Sequence, residues 1–284
     1  MTKDWNDLAE IENIQSQPQS LIIFDGNNLA YRFLKRKNYN DFSEDYINTI
    51  ASLSKSYNAI KTMVCFDFGK SYYRLELLKK YKGNRTEPDT EEEKEQYQEF
   101  FNCLNSLPEL MPYDSVKYRG VEADDTITFL VENLKDRYEH IWMISSDTDL
   151  HQLIDTNVSA FSIFSRREVT IDSLYETKGL TPLEYMYVKI IMGDTSDNIS
   201  GVSGIGEKRA STLIKKYGSL DNLIDNLPIK GSSQYITNLN LSADILKRNE
   251  TLINLKRYNK KAITSSHGGD DTLYQLQELL GSLT

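Results

Sequence analysis

The sequence predicts an α/β protein with a mostly parallel central sheet flanked by helices, followed by a helical C-terminal region. Three observations predict this class. Short continuous apolar runs, which are typical of buried parallel strands, alternate with helical patterns over the first two thirds of the chain. Several of these runs are followed at once by aspartates, at the end of a strand where α/β proteins bind ligands. From about residue 181 onward the patterns are helical and are punctuated by Gly and Asn.

Each predicted element follows from a local pattern. Apolar runs that predict strands lie at residues 21–24, 62–66, 116–119, 141–144 and 158–164, with a further candidate at 169–171. Amphipathic patterns predict helices that begin at Leu29 and that cover residues 42–57, 91–101 and 122–137. The chain therefore divides into a polar N-terminal arm (1–19), an α/β core (20–180) with a segment of different character at about 70–101, and a helical region (181–284).

Composition and charge exclude several classes of protein. The chain has 284 residues with 33 Lys plus Arg and 42 Asp plus Glu, and its net charge of −9 excludes a histone-like or coat-like nucleic-acid binder. With 39% hydrophobic residues the chain can bury a core, which excludes wholesale disorder. No apolar run approaches the roughly 20 residues of a membrane helix, and we expect no secretory signal at the N-terminus.

The cysteine and histidine residues indicate neither disulfides nor zinc. Cys65 and Cys103 are the only cysteines and lie in apolar or amphipathic segments, as free thiols do in a reducing cytoplasm. His140, His151 and His267 lie too far apart in sequence to form a zinc-binding spacing. We therefore expect a cytoplasmic protein.

Nine carboxylates have a plausible common destination at one edge of the predicted sheet. They follow three of the apolar runs, open the helix that begins near residue 122, and follow the apolar helix that ends near residue 192. The nine are Asp25, Asp67, Glu122, Asp124, Asp125, Asp147, Asp149, Asp194 and Asp197. Carboxylates that converge raise one another's pKa, so such a set calls for a positive partner.

Hard divalent cations are the natural partner of an all-oxygen set. Oxygen ligands without His or Cys favour Mg²⁺ or Mn²⁺ over zinc, and two such ions about 4 Å apart form the clamp used in phosphodiester hydrolysis. The alternative is that each aspartate is a turn former or a helix cap, and that Glu122 and Asp125 complement a helix dipole. Repetition at several strand ends favours metal binding.

A glycine-rich motif at residues 201–210 lies between two helical patterns, 182–192 and 208–217. Its glycine spacing differs from that of a dinucleotide-binding fingerprint, and no strand precedes it. It fits a helix–hairpin–helix, in which glycines let the backbone approach a phosphate and the next helix N-terminus receives the anion. Lys208 and Arg209 add charge at that end. The alternative is an ordinary glycine-rich helix connection.

A basic and aromatic segment covers residues 79–85, Lys-Lys-Tyr-Lys-Gly-Asn-Arg. Basic residues interleaved with an aromatic suit an unpaired or threaded nucleic-acid strand, because tyrosine can stack on bases. A Lys-rich surface end of a helix is an equally common reading of this segment.

Together these motifs resemble the 5′-nuclease or flap endonuclease family. The resemblance is to stand-alone 5′-3′ exonucleases of tailed bacteriophages and to the N-terminal nuclease domain of bacterial DNA polymerase I. It spans about residues 21–217 in matching order. The motifs that carry it are Phe24–Asn28, Tyr81–Arg85, Gly120–Asp125, Ser146–Asp149, Met192–Ile199 and Gly201–Gly206.

The resemblance implies a PIN-like core, a helical arch at about 70–101 and a role for each site residue. Asp25, Asp67, Glu122 and Asp124 would hold one ion, and Asp125 would lie near the shared centre. Asp147, Asp149 and Asp194 would hold a second ion, and Asp197 would serve that ion or a further one. Lys82 in the arch would contact the scissile phosphate, with Arg85 beside it as the second catalytic residue.

The same resemblance implies a set of DNA contacts. Tyr81 would stack on a base, and Lys189, Lys208 and Arg209 would hold duplex backbone. The remaining expected contacts are Arg32 and the hairpin glycines Gly201, Gly204 and Gly206. In many relatives the hairpin also binds K⁺ through backbone carbonyl groups.

The carboxylate set and this resemblance together imply a Mg²⁺-dependent nuclease that cleaves 5′ flaps and 5′ ends of duplex DNA during replication. We expect it to be monomeric, to have no membrane partner and to act in the host cytoplasm if it is phage-encoded. RNA primers on DNA are a further expected substrate, and Mn²⁺ would substitute for Mg²⁺. Two alternatives stay open: a non-catalytic structure-specific DNA-binding protein on the same fold, and a phosphomonoesterase or small RNase with a similar acid cluster.

Overall fold

A computed structural model of the chain describes residues 19–35, 41–86 and 88–283. All but the last residue of the predicted N-terminal arm lie outside the described residues. No helix in the described part of the chain is long and apolar enough to cross a membrane.

A six-stranded sheet forms the centre of the α/β core. Its strand order is β3-β2-β1-β4-β5-β6, with every neighbouring pair parallel except β5 and β6, which are antiparallel. The strands are β1 Ser20–Asp25, β2 Ala59–Phe68, β3 Asp114–Arg119, β4 His140–Ile144, β5 Val158–Ser162 and β6 Arg167–Val169. The chain turns to opposite sides of β1, which creates the crevice at the carboxyl ends of the central strands where α/β proteins bind ligands.

Thirteen α-helices and a 3₁₀ helix surround and follow this sheet in the described residues. The helices are α1 Gly26–Lys35, α2 Ser43–Ser56, α3 Tyr72–Leu77, α4 Glu91–Leu110, α5 Ala123–Leu134, the 3₁₀ helix Thr148–Leu153, α6 Ile171–Lys178, α7 Pro182–Met192, α8 Glu207–Tyr217, α9 Leu220–Asp225, α10 Gln234–Asn240, α11 Ala243–Ile253, α12 Leu255–Thr264 and α13 Asp270–Ser282. Between α7 and α8 lies a short antiparallel pair, β7 Gly193–Asp194 and β8 Ile199–Ser200.

Buried apolar side chains form three clusters. Two lie on opposite faces of the sheet, where Leu21 and Ile23 point to one face and Ile22 and Phe24 to the other, as the period of a strand requires. The third cluster joins helices α7 to α11, whereas α12 and α13 contribute to one of the two sheet clusters. The α/β core and the helical region therefore each bury apolar surface of their own.

The fold class predicted from the sequence is confirmed, and the differences are local. Residues 169–171 are not a strand, because β6 ends at Val169 and Ile171 begins α6 under a capping box from Thr170. The predicted arch is helical only at its two ends, α3 and α4, while the described residues from Leu78 to Thr90 form turns and irregular structure.

Candidate functional site

The carboxyl ends of the three central strands bring the first predicted aspartates to one edge of the sheet. Asp25 ends β1, Asp67 is the second-last residue of β2, and Asp147 follows β4. Asp25 is buried, with an exposed fraction of 6%. Parallel strands place these carboxylates together because their carboxyl ends meet at a common edge.

Ser145 connects the carboxylate of Asp25 to the backbone of Asp147. Its hydroxyl group donates a hydrogen bond of 2.8 Å to Oδ2 of Asp25 and accepts one of 3.0 Å from the backbone N–H of Asp147. Asn28 adds a second connection, because its backbone N–H donates to Asp25 and its side-chain oxygen accepts from the N–H of Ser146. These bonds fix the end of β1 against the end of β4.

Asp67 is held in a similar way between β2 and α5. Its Oδ1 accepts a hydrogen bond of 2.7 Å from the backbone N–H of Ala123, the first residue of α5, and its own N–H donates to the side chain of Asn27. An anion at a helix N-terminus is favoured by the helix dipole. Asp67 therefore positions the start of α5, and with it Asp124.

A cleft of about 580 Å³ opens over this edge of the sheet. Asp25, Asp67, Asp124 and Asp147 line it, and Lys82 and Arg85 face them from the segment between α3 and α4. Tyr31 and Tyr97, which the sequence argument did not select, also line the cleft. Because Tyr97 is 37% exposed and lies on α4, it offers an aromatic face that is open to a base.

Burial and mutual repulsion raise the pKa values of the clustered carboxylates. Burial, followed by the charge of Asp67, raises the pKa of Asp25 to about 7. Burial and Glu122 raise the pKa of Asp67 to about 6, and burial with Asp147 and Asp25 raises the pKa of Asp124 well above its ordinary value. A bound cation would favour the charged forms and offset this cost.

Glu122 is enclosed by three donors. Its Oε1 lies 2.7 Å from Nζ of Lys82, and its Oε2 accepts hydrogen bonds from the hydroxyl group of Tyr81 at 2.8 Å and from Arg74 at 3.4 Å. Burial raises the pKa of Glu122, but the positive charges of Lys82 and Arg74 outweigh it and lower the pKa overall. Glu122 is therefore an ionised carboxylate held by the protein's own cations.

Asp125 is not presented to the cleft. Both of its oxygens bind the guanidinium group of Arg74, at 2.6 and 2.9 Å, and Asp125 has no exposed surface. The Arg74 nitrogen at 2.6 Å also contacts Glu122, so the place of Asp125 near a shared metal centre stays a prediction, while its two oxygens are occupied by Arg74. Asp125 belongs to the support of the site, which sequence reasoning missed because it gave no partner to Arg74.

The prediction for Tyr81 is corrected. Its exposed fraction is 2%, and its ring packs in the apolar cluster of the helical region, so the ring is not open for stacking on a base. Its hydroxyl group donates to Glu122 and to Asp197, the latter at 2.9 Å. Tyr81 thus connects the two acidic groups of the site.

Lys189 lies among the carboxylates predicted for the second ion rather than on the surface. Its ammonium group forms an ion pair with Asp149 and lies 3.2 Å from Asp194, and its side chain is 15% exposed. Burial raises the pKa of Asp149 to about 6 despite this partner. The charge of Lys189 is thus shared with two carboxylates in this structure, and its contact with duplex backbone stays a prediction.

The segment that carries Lys82 is docked on the loop between β7 and β8. The N–H of Lys82 donates to the carbonyl oxygen of Asp197 at 3.0 Å, and Asn84 donates to that of Thr195 at 2.6 Å. Lys82 and Asn198 both have a positive φ, of 51° and 58°, which costs energy for residues other than glycine. Arg85 reaches Asp197 at 3.4 Å and is 56% exposed.

The donor set suits a hard divalent cation, but the side chains are not closed around one. In the described part of the chain no group of three or more Asp, Glu, His or Cys residues is arranged so that it could hold a metal ion as it stands. Lys82 and Lys189 bind between the carboxylates instead. The residues fit Mg²⁺ or Mn²⁺ by chemistry, since every donor is a carboxylate and the raised pKa values call for a cation.

The glycine-rich motif forms the predicted connection between two helices. Gly204 has a φ of 80°, which favours glycine, and a side chain at Gly201 would meet the carbonyl oxygen of Met192 at 1.9 Å. Gly206 precedes α8 and has open space around it. Gly201 is therefore required by close backbone packing, whereas Gly206 leaves the N-terminus of α8 accessible to an anion.

The charged residues of the hairpin line a separate groove of about 910 Å³, beside Lys178 and Lys215. Lys208 is exposed. Arg209 donates to the carbonyl oxygen of Gly204 at 2.5 Å, and its guanidinium carbon lies 4.4 Å from the ring centre of Tyr235. Arg32 lies elsewhere again, on a cavity of about 440 Å³ that also contains Arg166.

Comparison with known proteins identifies the family. The family model described as 5′-3′ exonuclease, N-terminal resolvase-like domain, matches residues 20–179, and the model described as 5′-3′ exonuclease, C-terminal SAM fold, matches residues 180–267. The chain is 41% identical to the flap endonuclease of Escherichia phage T5 over 280 residues, which cover 96% of each protein. The chain belongs to the 5′-3′ exonuclease family.

Solved structures agree with this membership of the 5′-3′ exonuclease family. A crystal structure of the phage T5 protein with metal ions has a TM-score of 0.88 and 40% identity, and covers 94% of this chain and all of that one. A complex of the T5 flap endonuclease with DNA and metal ions has a TM-score of 0.87 and 41% identity, and covers 92% of this chain and 97% of that one. The chain is therefore a nuclease of this family.

Proposed function

We propose that this 5′-nuclease hydrolyses phosphodiesters at 5′ flaps and 5′ ends of duplex DNA, with Mg²⁺ as its ion and Mn²⁺ as a substitute. The observation that carries the proposal is the cleft in which four carboxylates face Lys82 and Arg85. The phage T5 flap endonuclease, whose solved complex contains DNA and metal ions, supports it. RNA primers annealed to DNA are a second proposed substrate.

Eight of the nine predicted carboxylates are the proposed metal ligands. One group is Asp25, Asp67, Glu122 and Asp124, and the other is Asp147, Asp149, Asp194 and Asp197. When bound, divalent ions supply a nucleophile at neutral pH and neutralise charge on the phosphate. The side chains bind as carboxylates, so an ion that binds must displace the proton that Asp25 holds below about pH 7 in the metal-free protein.

Lys82 and Arg85 are the proposed catalytic residues because they face the carboxylates across the cleft. Burial lowers the pKa of Lys82, but Glu122 and Asp197 more than compensate, so the ammonium group stays charged. A phosphate in the cleft can accept hydrogen bonds from both side chains as negative charge develops. In this scheme Lys82 exchanges a carboxylate partner for the substrate.

The hairpin is the proposed anchor for duplex backbone, through the backbone N–H groups at the start of α8 and through Lys208. Arg209 and Arg32 remain proposed DNA contacts. K⁺ binding by the hairpin stays a prediction, and such an ion would compete with Arg209 for the carbonyl oxygen of Gly204. DNA affinity measured in K⁺ and in Na⁺ at equal ionic strength tests it.

Two wider proposals complete this assignment. We propose functional boundaries at residues 20–180 for the nuclease core and 181–284 for the DNA-binding region, with support from the two matched family models. We also propose a cytoplasmic location, which the free thiols of Cys65 and Cys103 support.

The test is cleavage of a 5′-labelled flap DNA with Mg²⁺ by the wild-type protein and by Asp147→Ala and Asp149→Ala variants. We expect both variants to lose cleavage and to keep binding the flap in EDTA, whereas Asp136→Ala, which removes an exposed turn carboxylate, cleaves like wild type. Wild-type rates in both site variants would sink the proposal. Binding by the wild-type protein without turnover in Mg²⁺ or Mn²⁺ would favour the non-catalytic alternative. Parallel assays with single-stranded RNA and a simple phosphate ester test the remaining alternative, a small RNase or a phosphomonoesterase.

A further inference from the structure

Helix α12 concentrates positive charge in a chain whose net charge is −9. Its sequence, LKRYNKKAIT, contains four basic residues and no acidic ones. Lys256, Arg257, Lys260 and Lys261 are all exposed. The opposite side of the helix is buried, with Ile263 in the cluster that packs on the sheet, so the four cations share the outer face.

This arrangement is unfavourable for an isolated helix. Lys256 and Arg257 lie in the first turn, where the helix dipole favours anions. Lys256 and Lys260 are four residues apart, as are Arg257 and Lys261, and like charges at that spacing repel each other. An anion on this face would relieve both effects.

The protein itself balances only part of this charge. Lys256 lies 3.8 Å from a carboxylate oxygen of Glu132, and Arg257 lies 2.6 Å from one of Glu250. In the described residues the other two cations of the face have no carboxylate within salt-bridge distance.

The basic face is connected to the base of the arch. Tyr258, between the cations, stacks on Tyr73 of α3 with ring centres 6.4 Å apart. The ammonium group of Lys261 lies 5.6 Å from the centre of the Tyr73 ring. Helix α3 leads directly into the segment that carries Lys82, and its Arg74 donates to the carbonyl oxygen of Leu252 just before α12. The face therefore adjoins α3 at the base of the arch, and none of its four cations lines the hairpin groove.

We propose that the outer face of α12 binds the phosphate backbone of the duplex part of the substrate, as a second contact besides the hairpin. The proposal rests on the proposed function, which supplies DNA as the polyanion. Lys260 and Lys261 provide the phosphate contacts, since their ammonium groups have no carboxylate partner in the described residues. A phosphate chain satisfies a row of exposed cations without any specific pocket.

The experiment measures binding of a fluorescent 5′-flap DNA by anisotropy in EDTA, between 50 and 200 mM NaCl. The variant is Lys260→Ala/Lys261→Ala. The matched control is Lys55→Ala/Lys61→Ala, which removes the same charge at the end of α2 and near the start of β2, on the edge of the sheet opposite to the carboxylates. Each phosphate contact contributes about 0.9 to the slope of log K against log salt concentration. When two contacts are lost, the ratio of the Kd at 200 mM to the Kd at 50 mM NaCl should therefore fall by about tenfold.

The outcomes separate this proposal from the proposed function. We expect weaker binding and the smaller salt slope in the α12 variant alone, with its thermal unfolding unchanged and its cleavage restored at saturating protein. If the α12 variant and the control share the wild-type slope while the wild-type protein still cleaves the flap, the α12 proposal is overturned and the proposed function stands. Charge reversal with Lys260→Glu/Lys261→Glu is expected to enlarge the loss, and no further loss also contradicts the proposal.

Discussion

Removing the guanidinium group of Arg74 is expected to destabilise the protein far more than removing a surface arginine. Arg74 is 5% exposed and binds both oxygens of Asp125, which has no exposed surface. The substitution Arg74→Met keeps most of the side-chain volume but leaves a buried carboxylate without its partner. Breaking a buried pair in this way costs about 3–5 kcal/mol of unfolding free energy. The lost hydrogen bond to Leu252 adds to this cost.

The assay is equilibrium unfolding in urea at pH 7.5 with EDTA. With a slope of about 3 kcal/mol per molar urea, the expected loss lowers the midpoint by about 1 M or more. The control is Arg257→Met, which breaks an ion pair of equal length, 2.6 Å, whose arginine is 57% exposed. We expect less than about 1 kcal/mol from that exposed pair.

A double variant tests the physical reason. Arg74→Met/Asp125→Leu removes both charges and is expected to recover much of the stability that Arg74→Met loses, because no buried charge is left unpaired. Two results would refute the reasoning: a cost for Arg74→Met no greater than for Arg257→Met, or a double variant that loses the sum of both single effects. In calorimetric Mg²⁺ titrations a ligand role for Asp125 predicts a further loss of affinity when Asp125→Asn is added to Arg74→Met, whereas a positioning role predicts none.

Three further predictions concern single positions. The pKa of Asp25 is raised to about 7 by burial, so between about pH 4 and 7 the folded protein holds a proton that the unfolded chain has lost. In EDTA, stability should fall as pH rises through this window. Asp25→Asn should reduce that decline, to which Asp67 and Asp149 also contribute, and should raise the melting temperature at pH 8; an unchanged pH dependence contradicts this. Tyr81→Phe keeps the buried ring but removes the hydroxyl group that contacts two carboxylates, so we expect cleavage to require a higher Mg²⁺ concentration. A wild-type Mg²⁺ requirement would show that only the ring of Tyr81 matters. Gly201→Ala should lower the melting temperature by several degrees, because its Cβ would meet backbone atoms, while Gly206→Ala should melt like wild type. Equal melting temperatures of the two variants would show that the close backbone approach at Gly201 does not require glycine.

The strand-end carboxylates could be predicted from the sequence because their placement follows from local rules. Buried parallel strands read as apolar runs, their carboxyl ends meet at one edge, and the chain itself marks those ends with Asp25, Asp67 and Asp147. The two helices of the hairpin were likewise predicted within one residue of their bounds, since Pro182 and the glycines mark where helices begin and end. These signals need no knowledge of tertiary contacts.

The partners of those carboxylates could not be predicted, because they come from distant parts of the chain. Arg74 and Asp125 are 51 residues apart, and an arginine in a short basic segment is expected to be exposed. The sequence shows Lys189 as a cation on a helix that precedes a DNA-binding motif, yet the fold turns it toward Asp149. Tyr81 resembles a stacking residue by composition alone, and only the packing of the helical region buries its ring.

These arrangements share one electrostatic cause, and it explains how an acidic chain can accept DNA. The buried carboxylates need positive charge, and the structure supplies it from Lys82, Lys189 and Arg74. Arg74 is buried, so its charge stays paired with Asp125 and Glu122 and is not open to a ligand. Lys82 lies at the cleft, where a cation on Glu122 and a phosphate on Lys82 can replace their ion pair with two new ones. The proposed function therefore predicts that the binding of metal ion and substrate is coupled, since each would relieve the charge that the other leaves unpaired.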